Sequence, residues 1–305
     1  MVKVSVIIPT YHRSECIVRA VDSVLSQTLQ DIEVIVVDDN GKATDEGEKT
    51  AKIMAGYTNN PKVIYLRHDV NKNGAAARNT GIRNAAGEYI SFLDDDDIYL
   101  PQRLELMVEC MEHKPMDYGA CYTAYIKHMP NGKTQKSANK TEGDVFVRAL
   151  MRSFSIGSGS NLFYRKSAIS EIGLWNESFL RNQDLEYNLR ILEKFKVAYV
   201  DQCLLEIFFD YRTVSFTYQQ SLDRELLFRN NFKHYLDKIS VKDRRNVIAN
   251  YDIDWTRYLI SNRYYSKAIK HIWKSKIPVR VWVSYLAYLT KRYINNTSYS
   301  FVPNI

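Results

Sequence analysis

The chain has 305 residues, 45% of them hydrophobic and 25% charged, with 12 Gly and 7 Pro, which excludes collagenous, low-complexity and disordered classes and supplies a large core. The four cysteines (Cys16, Cys110, Cys121, Cys203) form no CxxC pair and no zinc-type spacing, so reduced thiols in a cytosolic chain fit better than a disulfide framework. The net charge of +7 is uneven: residues 206–305 carry 17 Lys and Arg against 8 Asp and Glu, the first 205 carry 25 against 27. Half of the 22 tyrosines and three of the four tryptophans also fall in that basic last third. Such an end suits an anionic partner, lipid or nucleic acid, and equally a helical extension with a solvated basic face.

The opening MVKVSVIIPTYHR reads as a strand entering a polar loop rather than a signal peptide, and no run of eighteen apolar residues suggests a membrane span. Val2 to Pro9 is a nearly continuous apolar run, as in a strand buried on both faces of a parallel sheet. Ser14 is the expected N-cap of a helix to about Ser26, followed by a strand from Ile32 to Asp38 that ends in the turn signal Asp38-Asp39-Asn40-Gly41. A polar helix over 44–55, a strand from Lys62 to Leu66, a small-residue helix from Gly74 and a strand from Glu88 to Leu93 continue the alternation. Repeated βα units of this kind predict a doubly wound sheet open to ligands at the C-terminal ends of its strands. A helix from Pro101 to about His113, then Tyr118 to Met129 with a hairpin at Pro130-Asn131-Gly132, leads into a mixed stretch. Beyond Tyr211 the pattern is helical to about residue 294. The expectation is an α/β core over residues 1–211 and a helical, basic, aromatic-rich extension over 212–305.

The most informative residues are Asp94-Asp95-Asp96-Asp97 after the strand ending Phe92-Leu93. Four adjacent carboxylates repel one another, and a divalent cation such as Mg²⁺ or Mn²⁺ would relieve that while leaving positions for phosphate oxygens. In extended backbone Asp94 and Asp96 would share a face, and Asp97 would suit the N-cap of the helix near Pro101. Asp39 sits on the same rim, where a carboxylate accepts from a ribose or base edge or simply forms a turn. Gly74-Ala-Ala-Ala-Arg78 allows close backbone approach to a phosphate with Arg78 supplying charge, or merely packs a helix on the sheet. Asp184 and Glu186 open an amphipathic helix and cannot both face one point; either could take a proton from an alcohol, or simply favour the helix N-terminus.

Together these segments resemble the inverting, nucleotide-sugar-dependent family-two glycosyltransferases with the GT-A fold, a Rossmann-like, mostly parallel sheet flanked by helices. The resemblance spans about residues 3–211. It rests on Val4 to Tyr11, Val37 to Asn40, Ala77 to Gly81, Leu93 to Pro101, and Gly157 to Arg190 with Ile172-Gly-Leu-Trp-Asn-Glu177 ahead of Asp184. It implies that Pro9, Thr10, Tyr11 and Asp39 surround the base, Tyr11 stacking and Asp39 meeting a ring N–H. Arg78 would lie beside the nucleotide, Asp94 and Asp95 at the ribose or the cation's waters, and Asp96 would ligate Mn²⁺ or Mg²⁺ on the diphosphate. Asp184 would be the general base, with Glu186 as the fallback because Gln183 stands where many relatives are acidic. The segment Asp210 to Ser215 lacks a His that relatives often carry there, so its contribution comes from Arg212 or is absent.

The implied reaction moves a hexose from a nucleotide sugar, expected to be UDP-linked, onto a saccharide or lipid-linked saccharide in bacterial surface-polysaccharide assembly. The stretch Ile277 to Leu289, flanked by Lys274, Lys276, Arg280, Lys291 and Arg292, suits an interfacial helix on anionic lipid, and equally a helix packed on the core. The expected place is therefore the cytoplasm, with peripheral attachment to the inner face of the cell membrane if that helix is interfacial. A sugar nucleotidyltransferase would need a Gly-rich basic loop after the first strand, which Pro9-Thr-Tyr-His12 lacks. A nucleic-acid-binding module is opposed by the acidic rim and the lack of a recognisable motif.

Overall fold

The computed structural model describes residues 1–180, 182–209, 216–298 and 300–305. The Asp210 to Ser215 segment with Arg212 therefore lies outside the described residues. The chain divides into two compact units, residues 1–144 with 156–210, and 145–155 with 211–305.

In the first unit, strands β1 (Val4–Thr10), β2 (Ile32–Asp38), β3 (Val63–Arg67) and β4 (Tyr89–Phe92) are parallel in the order β4-β1-β2-β3. Helices α1 (Ser14–Leu25), α2 (Asp45–Met54) and α3 (Gly74–Asn84) connect them. β1 is buried at nearly every position, hence on both faces of the sheet, which is why it reads as a largely apolar run rather than an alternating one. Ser14 is the first residue of α1 rather than its cap: Arg13 takes the cap position with no side-chain bond, and the Glu46 carboxylate accepts from the Ser14 N–H at 3.1 Å.

After β4 come β5 (Ile98–Tyr99), α4 (Arg103–Glu112), β6 (Tyr118–His128) and β7 (Thr134–Ser137), the last two forming the expected hairpin. The second unit contributes α5 (Phe146–Leu150), and the first resumes with β8 (Phe163–Arg165), α6 (Lys166–Ile172), α7 (Gln183–Lys194) and β9 (Lys196–Phe208). β8 joins β4 to β6 with antiparallel pairing, and β9 runs parallel to β6 and antiparallel to β5. One half of the sheet is thus parallel and the other mixed. Val6, Ile8, Val34, Val36, Leu104, Met107, Phe163 and Leu205 share its principal core.

Strand order reverses at β1, whose neighbours are β2 on one side and β4 on the other. Such a switch point leaves a crevice beyond the strand ends. Pairing of β1 with β4 stops at Ile7 and Phe92, whereas pairing with β2 runs on to Thr10 and Asp38. Pro9, with no N–H to give, falls just past the end of the β4 ladder.

The second unit consists of α5 with α8 (Tyr218–Asn231), α9 (Val241–Ser261), α10 (Tyr265–Ser275) and α11 (Val279–Ile294). The segment 145–155, read from sequence as part of the core, belongs here because its polar groups are satisfied here. The Tyr251 hydroxyl donates to Leu150 O at 2.6 Å and the Asn250 amide to Met151 O at 2.7 Å. Arg152 lies over the Phe228 ring and pairs with Glu225 at 2.8 Å, both partners largely buried.

Candidate active site

The four aspartates do not adopt extended backbone. A turn over Asp95-Asp96, closed by the Asp97 N–H on Asp94 O at 3.1 Å, sends the carboxylates in different directions. Asp94 accepts from Arg78 at 2.7 Å. Asp95 is buried beneath the end of β1, accepting from the Thr10 hydroxyl at 2.7 Å, the Tyr11 N–H at 3.3 Å and Arg13 at 3.2 Å. Asp96 pairs with the same Arg13 guanidinium, and its backbone carbonyl accepts from Arg19 at 2.6 Å.

Asp97 is buried and accepts from the Ser158 and Ser160 hydroxyls and the Phe208 N–H. It is therefore a clasp between loops; Gln102 holds the cap position of α4, without a side-chain bond. Two sequence expectations change here. Asp95 and Asp96, not Asp94 and Asp96, share a partner, because the turn removes the two-residue alternation. The mutual repulsion is already relieved by Arg13 and Arg78, residues distant in sequence, so it does not by itself demand a cation. Burial pushes the Asp95 carboxyl up to about 7 against the opposing pull of Thr10 and Arg13, and raises Asp97 well above the usual range.

Tyr11 is exposed, its ring edge-on to His12. Asp39 is almost wholly buried and faces the loop after β3. It accepts from the His68 ring at 2.7 Å, the Lys72 N–H at 2.8 Å, the Asn71 amide at 2.9 Å and the Asn73 N–H at 2.9 Å. A carboxylate offers about four acceptor sites, so a ring N–H would have to displace one of these donors.

Asn73 passes this order on. Its φ is +101°, a region that few residues other than glycine adopt, yet its side chain caps α3 by accepting from the Ala75 and Ala76 N–H groups. The same oxygen accepts from the Gln183 amide at 3.4 Å, and the Asn73 amide donates to Glu177 O at 3.1 Å. Gln183 also donates to Phe179 O at 2.5 Å. Asp184, its neighbour, lies half-buried in the first turn of α7, within electrostatic reach of Arg78 and Asp94. Desolvation raises its carboxyl above the ordinary range, outweighing the pull of Arg78 and of the helix-end N–H groups.

Glu186 points elsewhere: buried, it is bound by Arg190 at 2.6 and 3.0 Å, and Arg190 also donates to Ile172 O and Leu174 O. It braces the approach to α7 and is not placed as a substitute for Asp184. Arg78 is held over the Trp175 ring, itself stacked on Tyr187 at 4.4 Å and edge-on to Phe92. Trp175 and Asn79 exchange two hydrogen bonds through the Trp175 backbone, at 2.8 and 3.0 Å. A side chain at Gly74 would collide with Arg78, so glycine there lets Arg78 lie against the start of α3.

The sequence reading named Pro9, Thr10, Tyr11, Asp39, Arg78, Asp94–Asp96 and Asp184; of these, Thr10 and Tyr11 meet Asp95, and Arg78 meets Asp94. It missed Arg13, His68, Asn73, Trp175 and Ser160, whose roles depend on partners far along the chain. Among the described residues no group of three or more His, Cys, Asp or Glu could hold a metal ion by itself. The available chemistry is that of hard carboxylates, the donor type Mg²⁺ or Mn²⁺ takes, one or two being the usual protein share; Arg13 already pairs with Asp96, so an ion there would have to displace that guanidinium.

A βα sheet with a strand-order reversal at β1, an acidic rim and an adjoining basic side chain defines a doubly wound α/β architecture. The family model described as "Glycosyl transferase family 2" matches residues 5–173, and the chain belongs to that family. An uncharacterized glycosyltransferase of Rickettsia felis is 38% identical over 150 residues, 48% of this chain and 24% of that protein. One from Haemophilus influenzae is 24% identical over 62% of each chain, and the putative colanic acid biosynthesis glycosyl transferase WcaA of Escherichia coli is 34% identical over 34% of this chain and 36% of its own. The chain thus spans about a quarter of the rickettsial relative. The crystal structure of S. aureus TarS 1-349 in complex with UDP-GlcNAc shares the fold at 17% identity, TM-score 0.60, covering 82% of this chain and 80% of that one; the UDP complex gives 0.56. The fold is GT-A.

Proposed function

We propose that this chain transfers a hexose from a nucleotide sugar to a saccharide or lipid-linked saccharide, with inversion, in surface-polysaccharide synthesis. One observation carries the reading. At the end of β1 the Tyr11 N–H meets Asp95, and Arg78 pairs with Asp94 within electrostatic reach of the half-buried Asp184. Family membership and relatives named for polysaccharide synthesis support the reaction class, and neighbours solved with UDP and UDP-GlcNAc support a UDP-linked donor.

In this reading Tyr11 stacks on the base and Pro9–Thr10 shape its floor. Asp39 orders the adjoining loop, or meets the base by giving up one of its present donors. Arg78 balances charge beside the diphosphate. Asp94 and Asp95 lie toward the ribose, Asp95 chiefly by holding Thr10 and Tyr11. Asp96, on giving up Arg13, would hold Mn²⁺ or Mg²⁺, and the ion would supply Lewis-acid neutralisation of the leaving diphosphate. Asp184 accepts the acceptor hydroxyl's proton as the hydroxyl oxygen bonds to the anomeric carbon and the bond to the nucleoside diphosphate breaks. One displacement inverts the centre.

A screen of nucleotide sugars for diphosphonucleoside release, with an acceptor and Mn²⁺, tests this. Release from at least one UDP-sugar, lost on chelation, is expected. Failure of the whole panel with full binding of none would end the proposal.

A further inference from the structure

The outer faces of α10 and α11 are apolar, uncovered and bordered by positive charge. α11 buries Val281 and Tyr285 and packs Trp282, Tyr288 and Leu289 inward with Ile253 and Phe301. Its opposite side presents Val279 (77% exposed), Val283, Leu286 (61%) and Tyr293, spaced three, four or seven residues apart as on one helical stripe, with Ile294 beside the last. Exposed Arg280 and Lys291 edge that stripe. α10 repeats the design: Ala268 is buried, while Tyr265, Ile269 and Trp273 (82% exposed) recur every four residues beside exposed Lys270 and Lys274. Within residues 255–305 there are nine Lys and Arg and no Asp or Glu.

We propose that these basic-edged apolar stripes seat the helical unit on an anionic lipid surface. The chemistry selects that occupant. Nucleic acid would meet the lysines but leave the aliphatic centre of the stripe uncovered. A second copy would bring like charge against like. An anionic bilayer interface satisfies both parts, burying Val, Leu and Trp while its headgroups pair with the basic border. The helices lie on the surface rather than through it, since among the described residues no helix is long and apolar enough to cross a membrane. The proposal rests on the helical unit alone and is independent of the donor reading.

The test uses the full chain without nucleotide. Flotation with equimolar phosphatidylglycerol–phosphatidylcholine vesicles is expected to exceed that with pure phosphatidylcholine by about tenfold or more and to fall away in high salt, because screening removes the charge term. Trp273 emission should shift to the blue on binding, and Trp273→Phe should remove the shift. Val283→Asp with Leu286→Asp, and separately Lys270→Glu with Lys274→Glu, should each weaken binding about tenfold; these side chains are solvent-facing, so unchanged melting shows the fold is kept. Absence of binding, equal binding to neutral vesicles, or binding indifferent to both variant pairs overturns the proposal. So does a wild-type dimer that Val283→Asp with Leu286→Asp converts to monomer, which would give the stripe to a second copy.

Discussion

Asp184 occupies a position where burial and charge oppose each other, and its behaviour with pH follows. Its carboxyl is raised by desolvation, so it holds its proton to a higher pH than an ordinary aspartate. As a base it works only when ionised, so turnover should rise with pH along an acid limb centred above the usual carboxylate range. Asp184→Asn should lower kcat by roughly 10²- to 10⁴-fold while leaving donor affinity near wild type, read by product release and calorimetry. Normal kcat in that variant would remove Asp184 from the reaction. The stability sign runs the other way. A raised folded-state value favours folding below the unfolded carboxyl value near ~3.9 and loses that contribution as pH rises through the folded value. Asp184→Asn should therefore gain in melting temperature relative to wild type more at pH 8 than at pH 4. Its placement on a helix start was legible from sequence, whereas the dismissal of Glu186 needed Arg190 and the two carbonyls that hold it.

Among the elements, the loop after β3 and the start of α7 are joined through Asn73. The strained φ there costs about 1–3 kcal/mol, offset by the bonds to Asp39, Ala75, Ala76, Gln183 and Glu177. Asn73→Gly relieves the strain and deletes those side-chain bonds, so stability should stay within about 1 kcal/mol of wild type. Release of Gln183 and the Glu177 loop should nevertheless lower kcat by roughly 10- to 100-fold through misplacement of Asp184. Thermal melts alongside steady-state kinetics separate the two effects, and unchanged kcat would disprove the link. Asp39→Ala strands several donors at once and should cost about 3 kcal/mol, measured by denaturant unfolding. The strands were legible because apolar runs bounded by turn residues have few other readings: β2 falls on Ile32–Asp38 as expected. The turn through Asp95-Asp96 was not, because four identical residues carry no periodicity and their directions depend on Arg13, Arg78 and the 158–160 loop.

Across the whole molecule, charge and chemistry are divided by unit. The acidic rim lies in residues 1–144 and 156–210, the basic aromatic surface in the helices. The segment 145–155 joins the helices through Arg152, whose guanidinium meets Glu225 and the Phe228 and Tyr251 rings. Local sequence gave no sign of this, since Arg152's partners lie about a hundred residues or fewer downstream. Arg152→Ala should destabilise the helical unit by about 3 kcal/mol in chemical denaturation, because Glu225 loses one of its two guanidinium partners and the aromatic pair loses its cover.

The reading as a whole depends on the rim holding a nucleoside diphosphate with a divalent ion. Calorimetric titration of UDP into the wild type and Asp96→Ala, each with Mn²⁺ and with chelator, measures it directly. Binding that needs both Mn²⁺ and the Asp96 carboxylate is predicted; equal UDP affinity in all four titrations, or none in the wild type with Mn²⁺, would contradict it.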